Sequence, residues 1–275
     1  MQKSGDKGVS GTSDQGNGGD RFGGFVDVHC HCLPGLDDGP ADMAETLALC
    51  RALVDDGITE VVATPHQLGR FDGHCSPQTV RRAVGQLNQA LCENGILLTV
   101  LPGADVRLDE RIPQLLESDR ILTLADAGRH LLLELPHEVF IDPKVLLGQL
   151  CDRGVTAVIT HPERHSFLMR NPTLVNRWAE YQPCLQITAG SFVGDFGQQC
   201  QEAAWAFVHA ELPIVVATDA HNVGSRAPRM TAAYQRLSLE LGRPAARILC
   251  MENPRRLLAG QDLVMLTIAL EGRAR

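Results

Sequence analysis

From Phe25 onward the chain alternates short runs that are apolar on both faces with helix-patterned segments, and this rhythm constrains the fold most. Phe25–His31, Ile58–Thr64, Ile96–Leu101, Leu131–Leu135, Val155–Thr160, Leu185–Thr188 and Pro213–Thr218 read as strands. Between and after them, Asp42–Asp56, Pro77–Asn94, Asp142–Arg153, Leu174–Tyr181, Glu202–Glu211, Pro228–Leu241 and Arg255–Leu258 read as helices. Glycines such as Gly57, Gly95 and Gly154 close several of these. Asn253–Pro254 reads as an N-cap followed by proline at the first helical position. Strands without a polar face belong to a buried parallel sheet. Seven βα units in a row predict an α/β protein with a closed or nearly closed barrel. A doubly wound open sheet is the alternative, but neither GxGxxG nor GxxxxGK[ST] occurs to support its nucleotide-binding forms.

Residues 1–24 stand outside the rhythm. They hold eight of the 26 glycines and only Met1, Val9 and Phe22 as hydrophobic residues, so they read as a flexible tail, without the apolar stretch of a signal peptide. Residues 25–275 read as one domain. No run approaches the roughly 18 apolar residues of a membrane span. A net charge of −8 and 4% aromatic residues argue against phosphate-backbone binding and base stacking. Nine cysteines, an odd number without a CxxC pair, point to free thiols in the cytoplasm. Cys50, Cys92 and Cys151 fall in helix-like runs, where thiols act as small hydrophobes. The apolar stretch Leu263–Leu270 reads as an added helix packed on the barrel in preference to a subunit contact.

Metal-ligand residue types recur where strands give way to loops. Strand one supplies Asp27, His29 and His31, which alternation places on one face, with Asp37 and Asp38 in the loop beyond. Later ends carry Thr64-Pro65-His66, Gly103-Ala104-Asp105, Glu134, His161-Pro162-Glu163-Arg164 and Thr218-Asp219-Ala220-His221. A lone histidine after a strand is ordinarily a surface or capping residue. Six of seven strand ends with His, Asp or Glu is another matter, because the C-terminal ends of barrel strands face one another. Mixed imidazole and carboxylate donors suit two or three divalent ions of the Zn, Mn or Fe type, and clustered ions suit phosphate-ester hydrolysis.

Thiol and serine chemistry fare worse. His74-Cys75 and Arg81 match the HCx5R spacing of cysteine-dependent phosphatases, yet Pro77 interrupts the phosphate loop and no glycine supports it. The Cx5R spacing recurs at Cys250–Arg256, which shows how weak the pattern is. His29-Cys30-His31-Cys32 would make a zinc knot only if alternation did not split His from Cys. No GxSxG is present.

The ordered set Asp27-Val-His29-Cys-His31, Leu33-Pro-Gly-Leu-Asp-Asp38-Gly-Pro40, Thr64-Pro-His66, His161-Pro-Glu-Arg164 and Thr218-Asp-Ala-His221 resembles the polymerase and histidinol phosphatase (PHP) superfamily. Within it, DDGP and HPER resemble the bacterial capsule and exopolysaccharide protein-tyrosine phosphatases, from about Phe25 to Leu258. The resemblance implies a distorted (β/α)7 TIM-like barrel and three divalent ions, manganese first with zinc or iron as alternatives. It implies hydrolysis of phosphotyrosine on an autophosphorylating tyrosine kinase that controls polysaccharide export. It assigns His29, His31 and Asp219 to one ion. Asp105 bridges that ion to a second held by Glu134 and His161, while Asp38, His66 and His221 hold a third. Arg164 and Arg226 match the arginines that grip phosphate. Two positions depart from the pattern: Asp105, where glutamate is usual, and Gln67, where a second histidine or a basic residue is frequent. The competing readings are a PHP phosphatase of a small substrate such as histidinol phosphate, a PHP nuclease, and a metal-binding interaction module without catalysis.

Overall fold

The computed structural model describes residues 23–137 and 139–266. The tail expected over 1–24 lies outside these residues except for Gly23 and Gly24, whose carbonyls accept hydrogen bonds from Arg255. Nine strands form two parallel sheets among the described residues. They are β1 (Phe25–Cys30), β2 (Ile58–Ala63), β3 (His66–Gln67), β4 (Thr99–Pro102), β5 (Asp105–Arg107), β6 (His130–Glu134), β7 (Thr156–Thr160), β8 (Cys184–Thr188) and β9 (Ile214–Ala217). One sheet has the order β1-β2-β4 and the other β3-β5-β6-β7-β8-β9.

The two sheets are one ring, because two of its seven staves are broken. β2 and β3 are halves of a strand interrupted at Thr64-Pro65, and β4 and β5 are halves of one interrupted at Gly103-Ala104. Pro65 cannot donate to a ladder. Gly103 allows close approach, since a Cβ there would sit 2.6 Å from Val62 Cγ1. The ring is joined between β9 and β1 by the bridge Cys30↔Ala220, with His31 N donating to Ala220 O and Asp219 N to His29 O. The expected (β/α)7 barrel is therefore present, in distorted form.

Helices α1 (Met43–Asp55), α2 (Pro77–Glu93), α3 (Ile112–Glu117), α4 (Lys144–Cys151), α5 (Ala189–Val193), α6 (Gln198–Phe207), α7 (Met230–Leu241), α8 (Arg243–Arg247) and α9 (Asn253–Leu258) surround the strands. The expected helix at Leu174–Tyr181 is a 3-10 helix, Pro172–Tyr181. A large apolar cluster fills the space between strands and helices, and a smaller one of Val26, Val28, Val62, Leu132, Val158 and Val215 fills the barrel.

Three local expectations are corrected. Asn253 does not cap a helix: it lies in helical conformation after a π-turn at Ile248–Glu252. Its buried side chain donates to Ile214 O and Val264 O and accepts from Val264 N. Cys92 and Cys151 are exposed, while Cys50 is buried; all nine cysteines are free. Residues 261–266 carry no helix, although Leu263 and Leu266 pack against the core. The rest of the proposed C-terminal helix lies outside the described residues. No described helix is long and apolar enough to cross a membrane.

Strand β1 departs from simple alternation in a way that shapes the site. Val26 and Val28 face the barrel interior, yet Cys30 belongs to the outer cluster. The ladder slips between Asp27 and Cys30, the mark of a β-bulge, which re-aims side chains next to functional sites. His29 and His31 therefore converge. Asp27 turns away, and its carboxylate accepts from Thr218 N at 2.9 Å and Thr218 Oγ1 at 2.5 Å. It buckles β9 to β1 where the ring lacks a ladder. Asp27→Ala takes the acceptor from three buried donors, His29 N among them, and should lower the unfolding free energy by about 2–4 kcal/mol in urea denaturation. A loss below about 0.5 kcal/mol would remove this seam from the account.

Candidate metal centre

The strand ends bring all nine candidate ligands named from the sequence to one mouth of the barrel, where they fall into overlapping groups. His29, His31 and Asp219 form one; His31, Asp38, His66 and His221 form another; His29, Asp105 and His161 a third. Glu134, His137 and His161, and also His66, Asp105 and Glu134, complete the cluster. Within each group one donor atom per residue lies within 4.8 Å of the others. His29, His31, Asp105, Glu134, His161, Asp219 and His221 are buried, while Asp38 and His66 border a cavity of about 430 Å³.

The hydrogen bonds around the imidazoles show which nitrogens are free. His29 Nδ1 sits 2.8 Å from Gln186 Oε1 and His31 Nδ1 sits 2.6 Å from Asp37 Oδ2, both acceptors. Each ring therefore carries its proton on Nδ1, and the two Nε2 lone pairs face one another at 3.1 Å. His221 Nδ1 donates to Asp219 O, and its buried Nε2 makes no hydrogen bond, with Asp38 Oδ1 3.4 Å away. Such outer contacts fix tautomer and ring orientation in metal sites. Neither oxygen of Asp105 has a hydrogen-bond partner, although the residue is fully buried. A buried carboxylate left so is costly unless cations face it. Facing lone pairs, an unsatisfied imidazole nitrogen and an unsatisfied carboxylate are the donor set that divalent ions require, so the residues fit the metal the sequence suggests.

Titration behaviour agrees at two of the histidines, whereas at His66 burial is outweighed by the carboxylates of Asp105, Glu134 and Asp37, which raise the imidazole to about 9. Burial and the neighbouring His221 push His31 down to about 3, against the pull of Asp37. Burial likewise holds His161 well below the ordinary histidine range. Both are neutral, the form that ligates. Burial raises the Asp105 carboxyl, reinforced by the Glu134 charge. Burial acts the same way on Asp219, but His29, Arg164 and Arg226 outweigh it and hold the carboxyl far below its usual range.

Two of the candidate ligand positions carry strained backbone. His161 has φ 29° and Asp219 φ 50°, the left-handed region that non-glycine residues rarely adopt. Both stand where a parallel strand breaks off, and such strain clusters at functional sites. Arg164 and Arg226 reach the cavity, and each donates to Asp219 Oδ2, Arg226 at 2.6 Å. The Arg164 guanidinium lies over the Phe196 ring, 4.6 Å from its centroid. Glu163 of the HPER box faces the other way and accepts from Thr188 N and Ser191 Oγ.

Residue-type reasoning overlooked several neighbours. Asp37 and Gln186 orient ligand histidines, Phe71 stacks on His66 with centroids 5.2 Å apart, and Arg107 pairs with Glu134 at 3.1 Å. Of these only Asp37 carried a signal, its place beside Asp38. Gln67 is buried and structural, bonded to Cys75 O and Leu122 N.

Comparison with known proteins places this geometry. Residues 25–259 match the sequence profile of the family described as capsular polysaccharide synthesis, CpsB/CapC. The chain belongs to the CpsB/CapC family. Its similarity extends to the tyrosine-protein phosphatase YwqE of Bacillus subtilis, 36% identical over 87% of this chain and 93% of that protein. The tyrosine-protein phosphatase CpsB of Streptococcus pneumoniae is 28% identical over 86% of this chain and 99% of that one. A solved structure from work on YwqE and CpsB, described as unique metal-dependent tyrosine phosphatases, superposes with a TM-score of 0.83. It covers 88% of this chain and 97% of the other at 36% identity. In this chain the nine candidate ligands cluster at one mouth of the barrel, and Asp38, His66, Glu134, His161 and Asp219 line its cavity together with Arg164 and Arg226.

The thiol alternative finds no support in this arrangement. Cys75 is buried, donates to Leu36 O, and has its pKa pushed up to about 11 by burial and the charge of Asp37. Arg81 is occupied by Asp119 and Asp126. A phosphatase nucleophile needs the opposite, a depressed pKa. At pH 7.5, iodoacetamide should modify the exposed Cys92 and Cys151 at least tenfold faster than Cys75. Peptide mass spectrometry would read this, and preferential labelling of Cys75 would contradict it.

Proposed function

We propose that this protein is a metal-dependent protein-tyrosine phosphatase acting on a tyrosine kinase of capsule or exopolysaccharide synthesis. The observation that carries the reading is the cluster of nine His and carboxylate side chains at one barrel mouth, beside a cavity that Arg164 and Arg226 line. The names of the YwqE and CpsB relatives support it. We assign three divalent ions, manganese first. His29, His31 and Asp219 would hold one, Glu134 and His161 a second, and Asp38, His66 and His221 the third, with Asp105 placed to serve the first two. Its carboxylate would offset the repulsion between neighbouring dications. Bound there, such ions would supply a water of lowered pKa and polarisation of the phosphoryl group.

The chain's own groups do the rest. Arg164 and Arg226 stand at the cavity wall beside Asp219, where their planar forks can take phosphoryl oxygens. With the ions they offset the charge that develops in the transition state, and Phe196 holds one guanidinium in place. Arg70, Phe71 and Arg107 also line the cavity, with Arg70 paired to Asp38 and Arg107 to Glu134, so an aromatic ring is at hand to meet that of a tyrosine.

Arg164→Ala and Arg226→Ala should each lower kcat/KM on a phosphotyrosine peptide at least tenfold, with metal content equal to or above that of the parent. Losing a charged hydrogen bond to the developing charge costs about 2–4 kcal/mol. Lysine should rescue only in part. Near-parental rates in both alanine variants would remove the phosphate-gripping assignment. Histidinol phosphate, assayed alongside, separates the small-substrate reading: a kcat/KM above that for the peptide would favour it.

Asp105→Asn should reduce metal content by elemental analysis, whereas Asp105→Glu should retain it. An unchanged content in the Asn variant would exclude Asp105 as a ligand.

A further inference from the structure

Three residues beyond the Glu134 strand end, the chain carries a histidine outside the strand-end pattern. His137 follows Leu135, which is buried in the outer core, and Pro136. The turn is fastened from the other side. The His137 carbonyl accepts from Ser166 N at 3.2 Å and from Ser166 Oγ at 2.9 Å, which ties it to the segment just after the HPER box. The ring lies parallel to that of His161, with centroids 5.0 Å apart and planes at 15°. Its Nε2 is 3.3 Å from Glu134 Oε1. The side chain is 36% exposed and lines the same cavity as Asp38, His66 and Arg226.

We propose that His137 is an additional protein ligand of the ion held by Glu134 and His161. The inference rests on the metal-centre reading above and adds to it a residue that the strand-end pattern does not contain. Donor atoms of Glu134, His137 and His161 lie within 4.8 Å of one another, so all three can face a single ion at ordinary bond lengths of about 2.0–2.2 Å. The turn is fixed by two hydrogen bonds to its backbone, so the imidazole is presented without ordering a mobile loop. Parallel stacking on His161 sets the two rings side by side, with His137 Nε2 turned to the Glu134 carboxylate. With Asp105, this ion would have four protein ligands. A five- or six-coordinate ion such as manganese then still has room for water or phosphate. A further imidazole also shifts the preference of this one position toward zinc, cobalt or iron.

The test is metal binding by the full chain, stripped with chelator and titrated with cobalt(II). Calorimetry and the visible absorption of the bound ion would be followed. His137→Ala and His137→Gln are compared with the parent and with His161→Ala, each first shown to be folded by circular dichroism. The expected result is that both His137 variants bind one of the ions at least tenfold more weakly and lose part of the parental absorption. His161→Ala should weaken the same ion further. Two results would overturn the inference while sparing the metal centre, provided His161→Ala still weakens an ion. In one, both His137 variants titrate like the parent with an unchanged spectrum. In the other, Gln restores parental behaviour and Ala does not, which makes His137 a hydrogen-bonding positioner of Glu134. If His161→Ala also binds cobalt like the parent, the metal-centre reading itself fails, and the inference with it.

Discussion

The fully buried Asp105 carboxylate, with no hydrogen-bond donor on either oxygen, is the constraint on which the rest of the site depends. Its nearest polar neighbours are imidazole nitrogens, His66 Nδ1 at 3.3 Å and His29 Nε2 at 3.7 Å. Taking such a group out of water costs several kcal/mol unless positive charge meets it. A chain that places it at the centre of five histidines and three further carboxylates is shaped for cations. Here the strand halves β4 and β5, parted at Gly103-Ala104, carry Asp105 to the interior, and the break at Thr64-Pro65 brings His66 beside it.

Around this centre the fold supplies fixed acceptors that hold three of the rings. Gln186 on β8 takes the His29 proton, Asp37 takes that of His31, and the Asp219 carbonyl takes that of His221. The bulge in β1 turns His29 toward His31 and Asp27 toward Thr218. One irregularity thus both aims two ligands and closes the ring at its weakest join. Left-handed backbone at His161 and Asp219 belongs to the same design, in which local strain is carried by a well-packed barrel.

Much of this was legible in the chain. Parallel βα alternation follows from runs apolar on both faces, and ligand convergence follows from where a barrel puts its strand ends. His29, His31, His66, Asp105, Glu134, His161, Asp219 and His221 all obey that rule. What escaped it obeys other rules. His137 sits on a turn, and Gln186 lies inside a strand where an amide gives no metal signal. Arg107 approaches Glu134 because β5 and β6 run in register, Arg107 opposite Glu134. Asp27 looks like a ligand in the sequence because alternation is assumed, and a bulge cannot be read from residue type.

Sequence alone therefore determined the architecture and the donor inventory. Hydrophobic periodicity reports which face of each element is buried, and a histidine or carboxylate at a strand's end keeps its chemistry whatever its neighbours. Tertiary structure alone decided which donors share a location, which nitrogen of each imidazole is free, and how the ring is joined. These depend on distances between residues far apart in the chain, such as the 191 positions separating Asp27 from Thr218. They also depend on small departures from ideal strand geometry, namely a bulge, two strand breaks and two left-handed residues. No local pattern encodes these, because packing of the whole barrel holds each in place.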